Sequence, residues 1–210
     1  MSHRELYFIG IVLLAGIASV GFFWGRKKNL SLAREIGKIT EEFLRPVGQN
    51  YIWIGGEIGY KASYVIKKSF AKKCRTMLTL LPRQSPFWIP ISLLLARYDR
   101  FFMSYILEKN LSCEFYLRKK GTWGYDKERY GNSFKKEKVI LNNATYILYK
   151  KGDCSKAHKK IVGLLKLNRS IKSCRLYNDG RKTIIEATVT PRTDTLEQFI
   201  KDFSEFCKSL

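Results

Sequence analysis

The sequence predicts an α+β protein: an N-terminal transmembrane helix followed by antiparallel sheet(s) with amphipathic helices. Three observations lead to this fold class. Residues 6–24 contain no charged side chain. In the rest of the chain, apolar side chains recur at every second position in some segments and at every third or fourth position in others. Turn residues such as Asn178-Asp179-Gly180 lie between segments in which every second residue is apolar, and this arrangement is typical of antiparallel hairpins.

Residues 6–24 have the length and composition of a membrane span. A helix of this length extends over roughly 28 Å, about the thickness of one hydrocarbon core. Aromatic residues lie at both of its ends, where membrane helices carry their interfacial belts. The sequence therefore predicts a membrane anchor over residues 1–28 and a basic α+β domain over residues 29–210.

The charges around the span predict its orientation. One arginine and one glutamate precede it, whereas Arg26, Lys27 and Lys28 follow it directly. By the positive-inside rule, the protein lies in the cell membrane with its C-terminal domain in the cytoplasm. A cleaved signal peptide is the main alternative, although it would carry its charge before the apolar stretch and end in small residues. A buried helix of a soluble protein is the other alternative.

The net charge is the most unusual feature of the composition. The chain has 39 Lys and Arg against 18 Asp and Glu, a net charge of +21, and 45% of its residues are apolar. The apolar content excludes a wholly disordered chain. A domain this basic attracts anionic lipid headgroups, nucleic acid or an acidic protein. Adaptation of the whole surface to a hot or salty cytoplasm is the alternative explanation.

The first half of the domain is predicted to contain one helix and three strands. Residues 31–47 have helical periodicity and end at Pro46 and Gly48. Residues 58–66 alternate apolar and polar side chains, which indicates a strand, with 51–54 as its hairpin partner and 77–81 as a third strand. The expected buried stripe of the helix is Leu32, Ile36, Ile39, Phe43 and Val47.

The second half is predicted to contain further strands and two helices. A hairpin around Asn178-Asp179-Gly180 precedes a C-terminal helix with a capping box at Asp194 and Glu197. A second helix is predicted behind Asp153, and residues 121–136 are predicted to form a mobile loop. The predicted strands are 100–108, 113–117, 138–141, 145–149, 172–177 and 181–190, and the helices are 157–165 and 194–210.

The cysteines and histidines predict no metal site and no disulfide framework. Five cysteines are scattered without a C-x-x-C pair, an odd number that fits a reducing compartment. We therefore expect them to be small buried apolar residues. The only histidines are His3 and His158, so no zinc site and no cofactor are predicted. The cysteines are Cys74, Cys113, Cys154, Cys174 and Cys207.

Residues 79–102 combine prolines, large apolar side chains and arginines. One interpretation is an interfacial wedge, in which apolar side chains enter the headgroup region while arginines bind phosphates. The alternative is a buried connection across the sheet with Arg97, Asp99 and Arg100 as an internal ion-pair cluster. The predicted membrane-interface residues are Phe87, Trp88, Ile89 and Leu93. The predicted anion-binding residues are Arg83, Arg97 and Arg100.

No motif identifies an enzyme, and no catalytic residues are predicted. His158 lies among lysines and is expected to be a solvated surface residue. An enzyme would be lipid- or phosphate-directed and would use polar groups of the 79–102 segment. Those candidates are Arg83, Ser85, Arg97, Asp99 and Arg100. Basic and aromatic residues also alternate in 116–120 and 125–138, which would suit a membrane-tethered RNA- or ribosome-binding module.

Two stretches resemble uncharacterised archaeal proteins that have one N-terminal transmembrane helix. They are WIGGEIGYKASY, residues 53–64, and TLLPRQSPFWIPISLLLARYDR, residues 79–100. The resemblance implies a membrane anchor and no particular activity. The function expected from the sequence is a single-pass membrane protein whose basic domain binds anionic partners at the membrane surface.

Overall fold

The structure is a computed structural model, and it describes residues 3–55, 57–85, 87–94, 98–122, 134–141, 143–180 and 182–210. The predicted α+β class is confirmed. The helices are α1 (His3–Leu44), α2 (Trp88–Leu94), α3 (Ser155–Leu167) and α4 (Thr193–Ser209). The strands are β1 (Gly48–Trp53), β2 (Gly59–Lys68), β3 (Ala71–Thr79), β4 (Arg100–Leu107), β5 (Glu114–Lys119), β6 (Lys135–Leu141), β7 (Ala144–Lys151), β8 (Ile171–Asn178) and β9 (Thr183–Val189).

The described strands form one nine-stranded antiparallel sheet in the order β1-β2-β3-β4-β9-β8-β5-β7-β6. Both predicted hairpins are present. Trp53 pairs with Tyr60 across the first turn, and Asn178 pairs with Thr183 across the second. The strands β4 and β9 join the two halves of the sheet, because their pairing links the β1–β4 meander to the β8–β9 hairpin.

The helices α1, α3 and α4 lie on one face of this sheet. In β4, Phe101, Met103 and Tyr105 are fully buried on that face and alternate with residues on the second face. The hydroxyl groups of Tyr105 and Ser204 are 2.7 Å apart, which joins β4 to α4. One hydrophobic core therefore extends from α1 through α4 to α3.

The helix α1 is continuous through the predicted boundary between residues 28 and 29. Its 42 residues extend over roughly 63 Å. The first part is exposed, and residues that pack on the domain begin at Gly25. Among the described residues, α1 is the one helix long and apolar enough to cross a membrane, and none of its most apolar stretch is buried. The alternative of a buried soluble helix is therefore wrong.

The predicted buried stripe of α1 is partly wrong. Ile36 is buried as expected, but Val47 lies beyond the helix and is exposed. The reason is that small residues bring α1 close to the sheet: a Cβ atom on Gly37 would lie 3.7 Å from the hydroxyl groups of Tyr51 and Tyr60. Leu32, Ile39 and Phe43 then pack at the margin. The fully buried positions of the helix are Gly25, Asn29, Ala33, Ile36, Gly37, Thr40 and Leu44.

Two cysteines correct the prediction that all five are buried thiols. Cys113 and Cys154 form a disulfide that joins the start of β5 to the start of α3, with Cα atoms 5.2 Å apart. The pair was not predicted because 41 residues separate its members and only the fold brings them together. The other three, Cys74, Cys174 and Cys207, are buried thiols as expected.

The ends of two elements also differ from the prediction. The helix α4 begins at Thr193, with Arg192 as its N-cap residue and no side-chain cap, so the predicted capping box is wrong. Asp194 lies inside the first turn, and its Oδ2 atom is 2.8 Å from Nη2 of Arg192. The predicted loop 121–136 falls mostly on residues 123–133, outside the described residues, and its last two residues belong to β6.

Candidate functional site

One end of the sheet lies beside the point where α1 leaves its apolar stretch, and we call it the near end. Gly25 is in direct contact with the connection that follows β3. A Cβ atom on Gly25 would lie 1.8 Å from the carbonyl oxygen of Arg83, so no other residue fits there without displacing backbone. The contact fixes this connection against the first turn of α1 after Trp24.

Two further contacts attach the near end to the same part of α1. Nη2 of Arg26 is 2.6 Å from Oε1 of Glu57, which holds the β1–β2 turn. Nδ2 of Asn29 donates a hydrogen bond of 2.9 Å to the carbonyl oxygen of Leu81. Asn29 is fully buried. The β1–β2 turn and the β3–β4 connection are therefore both fixed to residues 25–29.

The position of these contacts along α1 defines a depth. Residues 25–29 lie roughly 2 to 8 Å beyond Trp24 along the helix axis. The headgroup region on each side of a bilayer is about 5–7 Å thick. If the apolar stretch spans a membrane, the segments attached at Gly25, Arg26 and Asn29 lie at headgroup depth.

Arg83 and Asp99 form a closed polar network at the near end. Nη2 of Arg83 is 2.5 Å from Oδ2 of Asp99, and both side chains are only 16% exposed. Nη1 of Arg83 also donates to Oδ1 of Asn29, at 3.0 Å, and the amide of Leu81 donates to Oδ1 of Asp99, at 2.8 Å. The partner of Asp99 is thus Arg83 rather than Arg100, and the charge of Arg83 is compensated within the fold.

The apolar residues predicted as a wedge lie in and just before α2. Phe87 is 66% exposed and Trp88 46% exposed, while Ile89 is half-buried. The side chain of Leu93 and all of Arg97 lie outside the described residues. Pro90 is compatible with α2 because it occupies the first turn, where the backbone N–H has no helical partner.

Four other exposed apolar residues of the near end are not among the predicted membrane-interface residues. Leu94 and Ile91 continue the exposed surface of α2, and Leu94 is 86% exposed. Ile52 and Trp53 end β1, at the turn that Glu57 attaches to Arg26. Trp53 could have been noticed because it lies directly before a predicted turn. We call the set Ile52, Trp53, Phe87, Trp88, Ile91 and Leu94 the apolar rim.

A group of cations lies beside the apolar rim. Cζ of Arg100 is 4.7 Å from the ring centroid of Tyr98, and Nζ of Lys172 is 5.5 Å from the same centroid. Partial burial, together with the nearby charge of Lys119, lowers the pKa of Lys172. Within the described part of the chain, Arg100, Lys119 and Lys172 form no ion pair with a carboxylate. Among the described residues, no direct ion pair therefore compensates their positive charge.

A cavity of about 570 Å³ opens between the apolar rim and these cations, and we call it the near-end cavity. Met77, Phe102 and Thr188 reach it from the second face of the sheet, where Met77 and Phe102 are cross-strand partners. Trp88 of α2 and the β3–β4 connection form its other walls. The interior is mainly apolar, with Arg100 and Tyr98 on one side.

The opposite end of the sheet is also basic. Exposed lysines there include Lys67, Lys72 and Lys109, so positive charge alone does not distinguish the two ends. A second cavity, of about 480 Å³, lies there beside Lys150, Lys151 and His158. The expectation of a solvated His158 is wrong, because the ring is half-buried and lines this cavity.

Of the residues considered for catalysis, Arg97 lies outside the described residues, whereas Arg83, Ser85 and Asp99 make structural contacts. Arg83 pairs with Asp99 and donates to Asn29, Asp99 also accepts from the amide of Leu81, and Ser85 begins the turn into α2 through its backbone carbonyl. Among the described residues, no group of three or more His, Cys, Asp or Glu side chains could hold a metal ion.

Comparison with protein-family models finds no match, and no curated protein matches the chain. The resemblance of residues 53–64 and 79–100 to archaeal membrane proteins stays a prediction.

Proposed function

We propose that this is a single-pass membrane protein whose basic domain rests on the membrane through its near end and binds anionic lipid headgroups there. The apolar rim enters the headgroup region, and Arg100, Lys119 and Lys172 bind the phosphates. The α1 helix supplies the anchor, which is compatible with its one long apolar stretch.

The contact between Gly25 and the carbonyl oxygen of Arg83 carries this proposal. It fixes the segment that leads into α2 to α1 one residue beyond Trp24. Because the anchor already holds the domain at the membrane, insertion of the rim costs little additional entropy. An exposed set of aromatic residues at this depth is typical of interfacial surfaces.

The continuous helix also supports retention of the N-terminal segment. Residues from Gly25 onward pack on the domain as part of the helix that contains the span. Cleavage after Trp24 would cut this helix directly before its first buried residue. A signal peptide is usually followed by small residues at its cleavage site, whereas Phe22, Phe23 and Trp24 are large.

For orientation, we propose the cytoplasmic side, from Arg26, Lys27 and Lys28. The disulfide is typical of oxidising compartments, but intracellular proteins of hyperthermophiles also carry such bonds. A reporter fused after Leu210 tests the orientation, and we expect it to be active in the cytoplasm. Activity outside the cell would overturn the orientation and leave the membrane contact to be tested separately.

The headgroup proposal is tested with the full-length protein in lipid nanodiscs. Trp88 is made the only tryptophan by changing Trp24, Trp53 and Trp123 to Phe, and the lipids carry brominated acyl chains that quench nearby tryptophan. We expect stronger quenching in discs with phosphoglycerol lipids than in phosphocholine discs. The difference should shrink as salt is added, because salt screens exposed charges.

The matched control for this experiment places the only tryptophan at the opposite end. Lys109 is exposed there, so Lys109→Trp in a background without other tryptophans should give no quenching in either disc. The proposal would be contradicted if Trp88 and the control tryptophan were quenched equally. It would also be contradicted if Trp88 were quenched equally in phosphoglycerol and phosphocholine discs at every salt concentration.

A second candidate function, RNA binding, is favoured by the second face of the sheet. The rings of Tyr116 and Tyr149 are stacked with centroids 6.4 Å apart, and Cζ of Arg175 is 4.6 Å from the ring centroid of Tyr177. Aromatic and cationic groups on a sheet suit single-stranded RNA. If RNA is the partner, Tyr177→Leu should weaken RNA binding about tenfold, since one base–aromatic stack contributes about that much. Trp88→Leu should leave it unchanged.

A further inference from the structure

The near-end cavity lies within the part of the domain that is fixed to α1 at headgroup depth. Ile58 follows Glu57, which pairs with Arg26, and it lines the cavity. Leu81, another lining residue, accepts the hydrogen bond of Asn29 through its carbonyl oxygen. The two segments that attach the domain to its anchor therefore also form part of the cavity wall.

The cavity has the chemistry of an amphiphile site. Its interior is formed by Met77, Phe102, Trp88 and other apolar groups, while Arg100 and Tyr98 lie on one side. Its volume of about 570 Å³ is within the range of about 300–1,000 Å³ that is usual for small-molecule sites. A phosphate alone would leave the apolar interior empty, and an apolar chain alone would leave Arg100 and Lys172 unused.

We propose that the near-end cavity binds one acyl chain of an anionic membrane phospholipid, with the phosphate of that lipid at Arg100 and Lys172. The inference rests on the proposed membrane contact and deepens it, because it assigns a lipid class and a site. Lys172 lies on β8 and Arg100 begins β4, and both approach the ring of Tyr98. A phosphate near this ring would form charge-assisted contacts with the two cations.

The bound acyl chain of the lipid is located by photo-crosslinking in nanodiscs that contain the full-length protein. The probe is a phosphoglycerol lipid with a diazirine group on one acyl chain, and labelled peptides are identified by mass spectrometry. We expect labels on Met77 or Phe102, which face the cavity, in addition to labels on the span. Labels confined to residues 6–24 and to the outer surface of α2 would overturn the proposal.

Two variants and two matched controls test the site itself. Thr188→Phe fills the cavity from β9, and Arg100→Gln removes its cation. Ser63→Phe and Arg75→Gln make the same changes at exposed positions of β2 and β3 that do not line the cavity. We expect about tenfold less label on β3 and β4 in Arg100→Gln, since a hydrogen bond to a charged group contributes about that factor. We expect a loss of at least similar size in Thr188→Phe, because the new ring occupies the space of the acyl chain. Both controls should be labelled like wild type.

The thermal midpoint of each variant separates loss of the site from loss of the fold. If Thr188→Phe keeps the wild-type midpoint and its full label, the cavity proposal is overturned. Full displacement of the label by glycerol phosphate would also overturn it, because the site would then recognise a free phosphate. If the cavity proposal is overturned but Trp88 is still quenched by brominated lipid, the proposed membrane contact stands. If neither signal is seen, both proposals fail.

Discussion

At the scale of single residues, the structure depends on two polar groups that are partly buried beneath α1. One is the Arg83–Asp99 pair with Asn29, which connects the near end to the anchor helix. The other is a cluster around Tyr51, whose hydroxyl group is 2.5 Å from Oε1 of Glu41 and 2.6 Å from the hydroxyl group of Tyr64. Buried polar groups of this kind are costly to leave without a partner.

Replacing Asp99 with Asn tests the first group. The change leaves the charge of Arg83 in a largely buried position without its counter-ion, so we expect a loss of about 3 kcal/mol in the free energy of unfolding. Asp194→Asn is the matched control, because its pair with Arg192 is exposed and should contribute under about 1 kcal/mol. Equal, small losses measured by denaturant titration of both variants would show that the near-end network does not hold the connection.

The tyrosine cluster predicts how stability depends on pH. Burial raises the pKa of Tyr64 to about 12, although the hydrogen bond with Tyr51 lowers it in part. Burial also raises the pKa of Tyr51 and Tyr60, and in both cases neighbouring groups add to the rise. In the unfolded chain these pKa values are about 10. The folded state retains these protons to a higher pH than the unfolded chain. The stability that they contribute is therefore fully present below about pH 10 and is lost as the pH rises toward and beyond 12.

Denaturant titrations across this alkaline range measure the effect. We expect the free energy of unfolding to fall less steeply in Tyr64→Phe than in wild type, because one retained proton is removed from the linkage. Lysines titrate in the same range, so the difference between the two proteins is the informative quantity. Parallel curves for wild type and Tyr64→Phe would contradict a role of the cluster in the alkaline loss.

At the scale of elements, the period of apolar side chains predicted most of the secondary structure. The hairpins β1–β2 and β8–β9 could be predicted because alternation and turn residues are local properties. The buried face of α1 could not be predicted in full, because small residues such as Gly37 determine it through a close approach to Tyr51 and Tyr60. The start of α4 was misplaced because a D-x-x-E pattern also occurs inside a first turn.

Gly25 gives the sharpest prediction at this scale. In Gly25→Val the new Cβ atom would overlap the carbonyl oxygen of Arg83, so α1 and the β3–β4 connection must separate. We expect a lower thermal midpoint, equivalent to about 1–3 kcal/mol. Gly16→Val is the control, since a Cβ atom there meets nothing within 4 Å. A midpoint for Gly25→Val that equals that of Gly16→Val would refute the close contact.

The disulfide between Cys113 and Cys154 gives a second prediction at the scale of elements. It closes a loop across a sequence separation of 41 residues, for which the chain-entropy model gives a stabilisation of about 4 kcal/mol. We therefore expect Cys113→Ser with Cys154→Ser to lower the free energy of unfolding by about that amount. The same loss should follow when wild type is reduced, and reductant should not affect the double variant. A double variant as stable as oxidised wild type would contradict a structural role for the bond.

At the scale of the whole molecule, the candidate site was only partly visible in the sequence. Phe87 and Trp88 could be selected because Pro86 and Pro90 bracket them in a segment that also contains arginines. Ile52 could not, because only the tertiary fold brings the β1–β2 turn beside α2 and Arg26. Arg83 had an unexpected structural role for the same reason: its partners Asn29 and Asp99 are distant in the sequence.

The depth of the near end in the membrane is the most direct measurement of the central claim. Nitroxide labels are placed on Leu94→Cys at the near end and on Lys109→Cys at the opposite end, in full-length protein in phosphoglycerol nanodiscs. Native cysteines should not react, because they are buried or in the disulfide. We expect the label at 94 to collide more with oxygen, which concentrates in the bilayer, and the label at 109 to collide more with a water-soluble nickel chelate. Two labels that are equally accessible to the chelate would contradict the proposed contact between the domain and the membrane.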